Sequence, residues 1–347
     1  LHVRSRRQRQ MCIRDRKNAY SSCIKKLGPD MKYLIQIIVI LQIASCTAMQ
    51  DAFNPITEDD QKLLEESSLN FEPLPIVQFE DSDISSARVM LGKKLYFDPI
   101  LSINNQISCN TCHQLDQFGV DNQATSLGPE GKSGRRNTPT TYNAFLHIAQ
   151  FWDGRAKDVE EQAIGHILNP DEMGMPSEKA VIKKLISSND YLDDFKKSFP
   201  SDKNPVKYRN IGIAIGAFER TLVTPSRFDD YLRGDIRALS AKERNGLKKF
   251  TEMGCVTCHN GVAIGGGMYQ RQGTVEEYPD NNDLGLYEIT KNEDDKYFFK
   301  VPTLRNVTQT GPWLHDGSLN DLNEVIKLMG RHQLGIELVQ EDIEDIH

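Results

Sequence analysis

The apolar positions of this 347-residue chain recur at helical rather than at strand spacing. Within residues 206–222 apolar side chains fall three to four positions apart, as on the buried face of a helix. The members of this stripe are Ile211, Ile215, Phe218 and Leu222. Ser240 and Glu243 form a capping box that opens a second helix, which Gly254 ends. A third helix is predicted over 92–97. No alternating run predicts a strand, so the expected fold class is all-α.

The N-terminal region has the pattern of an export signal. After Met31 and Lys32, an apolar run of thirteen residues extends to Ser45, too short to span a bilayer but suited to a secretory signal. We therefore predict a lipoprotein signal peptide over 31–45, with Cys46 as the acylated residue. Ordinary signal-peptidase cleavage nearby is the alternative. The Arg-rich residues 1–30 precede this complete signal and are expected to be a non-native leader.

The charge of the chain changes once this region is set aside. Residues 1–45 carry 10 Lys/Arg and two Asp/Glu, so the remainder has a formal net charge of −15, compared with −7 for the whole. An acidic chain of this kind is not expected to bind nucleic acid. It suits a basic or locally basic redox partner, and the export signal places it in the periplasm.

The most specific motif is Cys-X-X-Cys-His, which occurs twice and is the attachment site of a c-type haem. The two copies comprise Cys109, Cys112 and His113, and Cys255, Cys258 and His259. Two cysteines form thioethers with the porphyrin, and the histidine ligates the iron. A redox-active cysteine pair would leave the repeated histidine unexplained. Structural zinc needs four ligands, and each motif offers three. We therefore predict two covalently bound haems.

The spacing of the motifs indicates two units. They lie 146 residues apart, and each follows a predicted helix and precedes a loop-rich stretch. This order is that of cytochrome c, so we predict two cytochrome c-type domains, each enclosing one haem. The best boundary is Thr224-Pro225-Ser226, which gives domains at 46–225 and 226–347. Because the chain stops in mid-pattern, a truncated C-terminus is also expected.

At this point the residues resemble a known family, the bacterial di-haem cytochrome c peroxidases. The similarity runs from Arg88 to Gly335. The segments that carry it, in order, are Leu95–Pro99, Arg136–Thr140, Gln150–Arg155, Glu161–Ala163, Asp171–Met173, Leu304–Val307 and Met329–Gly330.

The resemblance implies a division of labour between the haems. His113 would hold a peroxidatic haem and His259 an electron-donating haem. The donating iron needs a soft second ligand to raise its potential, and Met329 matches the family position, with Met268 in reserve. From the residues alone, Met329 could equally belong to an apolar helix face.

The resemblance also implies catalytic residues. Glu172 matches the glutamate that shuttles a proton between the peroxide oxygens, and Gln162 the glutamine beside it. Trp152 matches the tryptophan between the haems. Without the resemblance, the first two would be predicted as solvated surface and Trp152 as core.

Three further positions match a calcium site between the domains. Asn137, Thr310 and Pro312 would bind the ion through one amide side chain and backbone carbonyls, which are oxygen donors that calcium favours.

One departure concerns Pro129. Many family members have a histidine there that caps the oxidised peroxidatic iron, and proline cannot replace it. The remaining candidate histidines are predicted to be ordinary packed or exposed residues: His147, His166, His315 and His332. The peroxidatic iron is therefore expected to be open in the oxidised protein.

Three functions remain at this stage. The leading one is reduction of hydrogen peroxide to water with electrons from a small periplasmic cytochrome c or cupredoxin, in a possible homodimer held at the membrane only by its lipid. The second is a protein-modifying oxidase of the methylamine dehydrogenase maturation type, although those enzymes have tyrosine at the position of Met329. The third is a non-enzymatic di-haem electron carrier.

Overall fold

The helices expected from the apolar pattern are present in the computed structural model, which describes residues 55–76, 83–279 and 282–347. The predicted all-α class is confirmed. Cys46, the signal 31–45 and the leader 1–30 lie outside the described residues. Within the described ranges the helices are α1 Glu58–Asn70, α2 Asp83–Phe97, α3 Cys109–Cys112, α4 Val159–Leu168, α5 Glu178–Ile186, α6 Asn189–Ser198, α7 Tyr208–Glu219, α8 Arg227–Leu232, α9 Ala241–Glu252, α10 Tyr287–Thr290, α11 Leu322–Met329 and α12 Gln340–Ile346.

Local chemistry explains where these helices begin and end. The hydroxyl of Ser240 accepts a hydrogen bond from the backbone N–H of Glu243 at 3.2 Å, and the Glu243 carboxylate accepts one from the Ser240 N–H at 2.8 Å. This is the predicted capping box. The helix stops at Gly254, whose φ of +91° is left-handed and favours glycine. The predicted helix within 206–222 is α7.

A short antiparallel strand pair is the feature that the apolar pattern missed. Strand β1 (Tyr269–Arg271) pairs with β2 (Phe298–Lys300), with Tyr269 opposite Lys300. Three residues are too few to show a period of two, so no sequence signal was available. The acidic stretch between the strands, which includes α10, forms their connection.

The main apolar core surrounds α7. Ile211 and Ile215 have no exposed surface, and α2 and α4 pack against this helix. The approach of α2 is close because Gly92 lacks a side chain. A Cβ there would lie 1.8 Å from the carbonyl oxygen of Ala214. The α4–α7 contact holds α4 in a fixed position, and α4 carries the candidate site residue Gln162.

Residues from Thr57 onward form one compact unit. The predicted boundary at 224–226 falls between α7 and α8, and the division into two haem domains stays a prediction. The C-terminal helix α12 packs on α9, where Lys249 pairs with Asp342 at 2.8 Å and Asp345 at 2.7 Å. In the described ranges, no helix has both the length and the apolar character to cross a membrane.

Candidate haem and peroxide site

The first Cys-X-X-Cys-His motif is held by a short helix. In α3 the Thr111 hydroxyl accepts a hydrogen bond from the Ser108 N–H at 2.9 Å. The N–H of His113 donates to the carbonyl of Cys109 at 2.9 Å. Cys109 and Cys112 are therefore one helical turn apart, with the histidine directly after them.

His113 has the surroundings of an iron ligand. His113 is 8% exposed, and its Nδ1 lies 3.1 Å from the carbonyl oxygen of Pro139. Burial, and then the neighbouring His166, lower the pKa of His113 to about 4. The imidazole is consequently neutral at pH 7. An imidazole whose Nδ1–H is bound to a carbonyl presents Nε2 to a metal.

The two thiols do not have the properties of a redox pair. Burial raises the pKa of Cys109 to about 12 and that of Cys112 to about 11. Reactive Cys-X-X-Cys pairs have a lowered pKa, because the thiolate is the nucleophile. The surroundings of these cysteines therefore favour the haem interpretation over thiol–disulfide chemistry.

A cleft adjoins the motif. Cys109, Cys112 and His113 line it, together with Gln162 and Glu172. A group bound to the two sulfurs and to the imidazole would thus contact both polar side chains. The residues present fit a c-type haem.

A turn after α4 brings the polar residues together. Gln162 and His166 are four residues apart on α4 and share one face. The helix ends at Leu168, and Gly174, at φ +70°, donates its N–H to the Asn169 carbonyl at 2.8 Å. This turn folds the Glu172 carboxylate back onto His166.

His166 is the residue that the sequence analysis missed. The sequence predicts an ordinary packed or exposed histidine at this position, yet His166 lines the cleft. Its Nδ1 contacts the Glu172 carboxylate, and its Nε2 lies 2.5 Å from Nε2 of Gln162. The i, i+4 spacing from Gln162 was the available signal, but only the turn at Gly174 connects His166 with Glu172.

Glu172 is half-buried and surrounded by positive or polarisable groups. Burial raises the pKa of its carboxyl, but His166, through charge and a hydrogen bond, and then Arg155 bring it below the ordinary value. The ionised carboxylate is therefore the form present at pH 7, and it is able to accept a proton.

Trp152 lies between the first haem motif and the C-terminal part of the chain. Its Nε1–H donates to the Asn137 carbonyl at 2.9 Å, two residues before the Pro139 carbonyl that contacts His113. On its other side, the ring is 6.5 Å from the His315 ring. The Trp152 carbonyl also accepts a hydrogen bond from the N–H of Lys300 at 2.8 Å.

The second motif also presents a buried imidazole. Burial lowers the pKa of His259 to about 4, and the backbone at Ile264 and Pro302 opposes this shift. The Nδ1 atom is buried without a hydrogen bond of ordinary geometry. Met329 ends α11 and is half-buried, so it is not a fully packed core residue. Met268, the reserve candidate, is 37% exposed.

Of the candidate calcium residues, Asn137 contacts Trp152, because its carbonyl accepts the Trp152 Nε1–H. Asn137 is buried, and its N–H donates to the His315 carbonyl at 2.7 Å. Its side-chain amide N–H₂ donates to the carbonyl of Gln123 at 3.0 Å. Thr310 is half-buried and Pro312 buried. The described ranges contain no cluster of three or more His, Cys, Asp or Glu suited to a metal ion, so calcium would depend on amide and backbone oxygens.

Comparison with known proteins places this geometry in a family. Residues 86–237 match the family model described as di-haem cytochrome c peroxidase. The chain is 43% identical over 300 residues to cytochrome c551 peroxidase of Pseudomonas aeruginosa, covering 84% of this chain and 86% of that protein. The chain belongs to the di-haem cytochrome c peroxidase family. The resemblance inferred from the motifs is thereby confirmed.

Two further relatives agree with this assignment. Cytochrome c551 peroxidase of Nitrosomonas europaea is 45% identical over 277 residues, covering 79% of this chain and 81% of that protein. A crystal structure of a MauG-like protein associated with microbial copper homeostasis matches with a TM-score of 0.68 at 26% identity, covering 79% of this chain and 90% of that one. These proteins of the same family thus share most of their length with the chain.

Proposed function

We propose that this chain is a cytochrome c peroxidase that converts hydrogen peroxide, two protons and two electrons into two molecules of water. The observation that carries the proposal is the shared cleft. Cys109, Cys112 and His113 line it together with Glu172 and Gln162, so a haem and a proton-transferring carboxylate would be neighbours. The relatives named cytochrome c551 peroxidase support the same reaction.

The side chains of the cleft account for the proton movements. His113 would hold a haem, which would supply the iron site for peroxide and the electrons for its reduction. Glu172, ionised at pH 7, accepts the proton of one peroxide oxygen at its carboxylate and returns it to the other oxygen, which leaves as water. The Gln162 amide is placed to donate a hydrogen bond to the peroxide and orient it.

The electrons are proposed to enter through the C-terminal domain, 226–347, and to pass to the domain 46–225. His259 and Met329 would hold the iron of the donating haem, since a thioether together with an imidazole raises the potential. Trp152, which lies between the Asn137 backbone and His315, would be the aromatic bridge. The donor is a small periplasmic cytochrome c or cupredoxin.

Three accessory features are part of the proposal. A calcium ion would bind the Asn137 amide and the backbone of Thr310 and Pro312. Acylation of Cys46 would anchor the protein to a membrane in the periplasm. A homodimer would be its assembly state.

The central test is the substitution Glu172→Gln. The amide retains the shape and can accept the hydrogen bond from His166, but it cannot carry a proton. Turnover should fall by about 100- to 10,000-fold, while both haems and their absorption spectra remain. Glu161→Gln is the matched control, because Glu161 lies on the exposed side of α4. Turnover of Glu172→Gln within about twofold of the parent would remove Glu172 from the mechanism.

A further inference from the structure

Two imidazoles lie beside each other in the cleft. The ring centroids of His113 and His166 are 5.9 Å apart, and both residues line the cleft with Cys109 and Cys112. A haem joined to these cysteines and ligated by His113 would therefore have its iron close to the His166 ring. Of the described residues that line the cleft, His113 and His166 are the only histidines.

Both rings are held as metal-binding histidines are held. Nδ1 of His113 is bonded to the Pro139 carbonyl, and Nδ1 of His166 to the Glu172 carboxylate. A carbonyl or carboxylate on one ring nitrogen fixes the tautomer and orientation, and leaves the other nitrogen for the metal. The carboxylate also makes the imidazole a stronger donor.

We infer that His166 is the second axial ligand of the iron held by His113 in the fully oxidised protein. The inference rests on the haem site of the proposed function and does not require peroxidase activity. Imidazole–metal bonds of about 2.0 to 2.1 Å at each Nε2 place two ring centroids about 6 Å apart. The observed 5.9 Å separation therefore places the His166 ring close enough to the iron, and ligation requires that the ring turn its Nε2 away from Gln162.

When the iron face is open, the His166 ring is hydrogen-bonded to the Gln162 amide. In the structure, Nε2 of His166 is directed at the Gln162 amide, 2.5 Å from its nitrogen. The same lone pair that binds iron can accept a hydrogen bond from this amide. Peroxide would reach the iron when His166 is on Gln162, and the site would be closed when His166 is on the iron.

This assignment replaces the expectation of an open iron in the oxidised protein. That expectation followed from Pro129, which is buried beside Gly174 and offers no imidazole. The imidazole of His166, on α4, takes this place instead. His147 is the next histidine after His113 along the chain. It packs against Gly266 and Lys300 and is not among the residues that line the cleft.

The test compares the haem-loaded, fully oxidised protein with His166→Leu by electron paramagnetic resonance and visible absorption, without peroxide or donor. The parent should show two low-spin irons. His166→Leu should lose one low-spin signal, gain a high-spin signal, and bind added cyanide faster than the parent. In His166→Ala, added imidazole should restore the low-spin signal, which shows that the variant is folded.

Two controls isolate the ligand. Glu172→Gln should stay low-spin, because the Gln oxygen still accepts the Nδ1 hydrogen bond. His347→Leu, at an exposed terminal histidine, should leave both signals unchanged. A parent that already contains a high-spin iron, unaltered by His166→Leu, would overturn the inference. Persistence of both low-spin signals of the parent in His166→Leu would overturn it too. Loss of turnover in Glu172→Gln tests the peroxidase proposal separately.

Discussion

The buried ion pair between Arg305 and Asp229 gives the clearest stability prediction. Their side chains are 3% and 0% exposed, and two guanidinium nitrogens donate to the carboxylate at 3.0 and 3.1 Å. Arg305 also donates to the Val262 carbonyl at 2.7 Å, three residues after His259. We predict that Arg305→Met destabilises the protein strongly, because Asp229 keeps a buried charge without its cation.

The structure sets the size of this effect. Two hydrogen bonds to a charged group are lost, each worth about 1.5 to 3 kcal/mol. Three donors remain on Asp229: the N–H of Leu74 at 2.7 Å, and the N–H and hydroxyl of Ser226 at 2.7 and 3.1 Å. These still solvate the carboxylate, so the free energy of unfolding should fall by about 3 to 5 kcal/mol, as when one partner of a buried pair is removed.

Urea unfolding of the haem-loaded protein, followed by far-ultraviolet circular dichroism, measures the change. Arg227→Met is the matched control, since its ion pair with Glu243 is exposed, at 65% and 39%, and should cost less than about 1 kcal/mol. Equal losses in the two variants would refute the reasoning.

The pH dependence of the same pair gives a second readout. Burial raises the pKa of Asp229, but hydrogen bonds from Leu74, Arg305 and Ser226 hold it below its ordinary value. A lowered folded-state pKa contributes stability above the unfolded pKa of about 3.9, and this contribution is lost as pH falls through the folded value. The difference between the parent and Arg305→Met should therefore be larger at pH 7 than at a pH well below the ordinary carboxyl pKa of about 3.9.

Two further predictions concern electron transfer. Met329→His should keep the second iron low-spin and lower its potential by on the order of 0.1 V or more, because imidazole favours ferric iron. Met268→His is its control, and a potentiometric titration in which neither couple moves would show that Met329 is not a ligand. Trp152→Phe should slow electron transfer between the haems at unchanged potentials. Trp313→Phe is the control, because Trp313 also donates a hydrogen bond to a carbonyl at 2.9 Å. Rapid-mixing absorption measures the rate of electron transfer. Equal slowing in both variants would contradict the bridging role of Trp152.

The helices and the haem attachment residues were predictable because their signals are local. A capping box spans four residues, a helix face repeats within a turn, and Cys-X-X-Cys-His needs five consecutive positions. The helix after Ser240 and the buried face of α7 agree with the structure for this reason. The short strands β1 and β2 were missed, because their pairing joins segments about thirty residues apart and neither strand has a pattern of its own.

The family resemblance identified Glu172 and Gln162, but it could not identify what they contact. Sequence alone determined the residue types, the helices and the two haem motifs of this protein. The tertiary structure decided that His166 lies between those two side chains and beside His113, because the turn at Gly174 reverses the chain. It also decided that Asp229 is a fully buried anion rather than one more acidic residue of an acidic chain. Burial and contact arise from segments distant in sequence, so charge and spacing along the chain do not contain them.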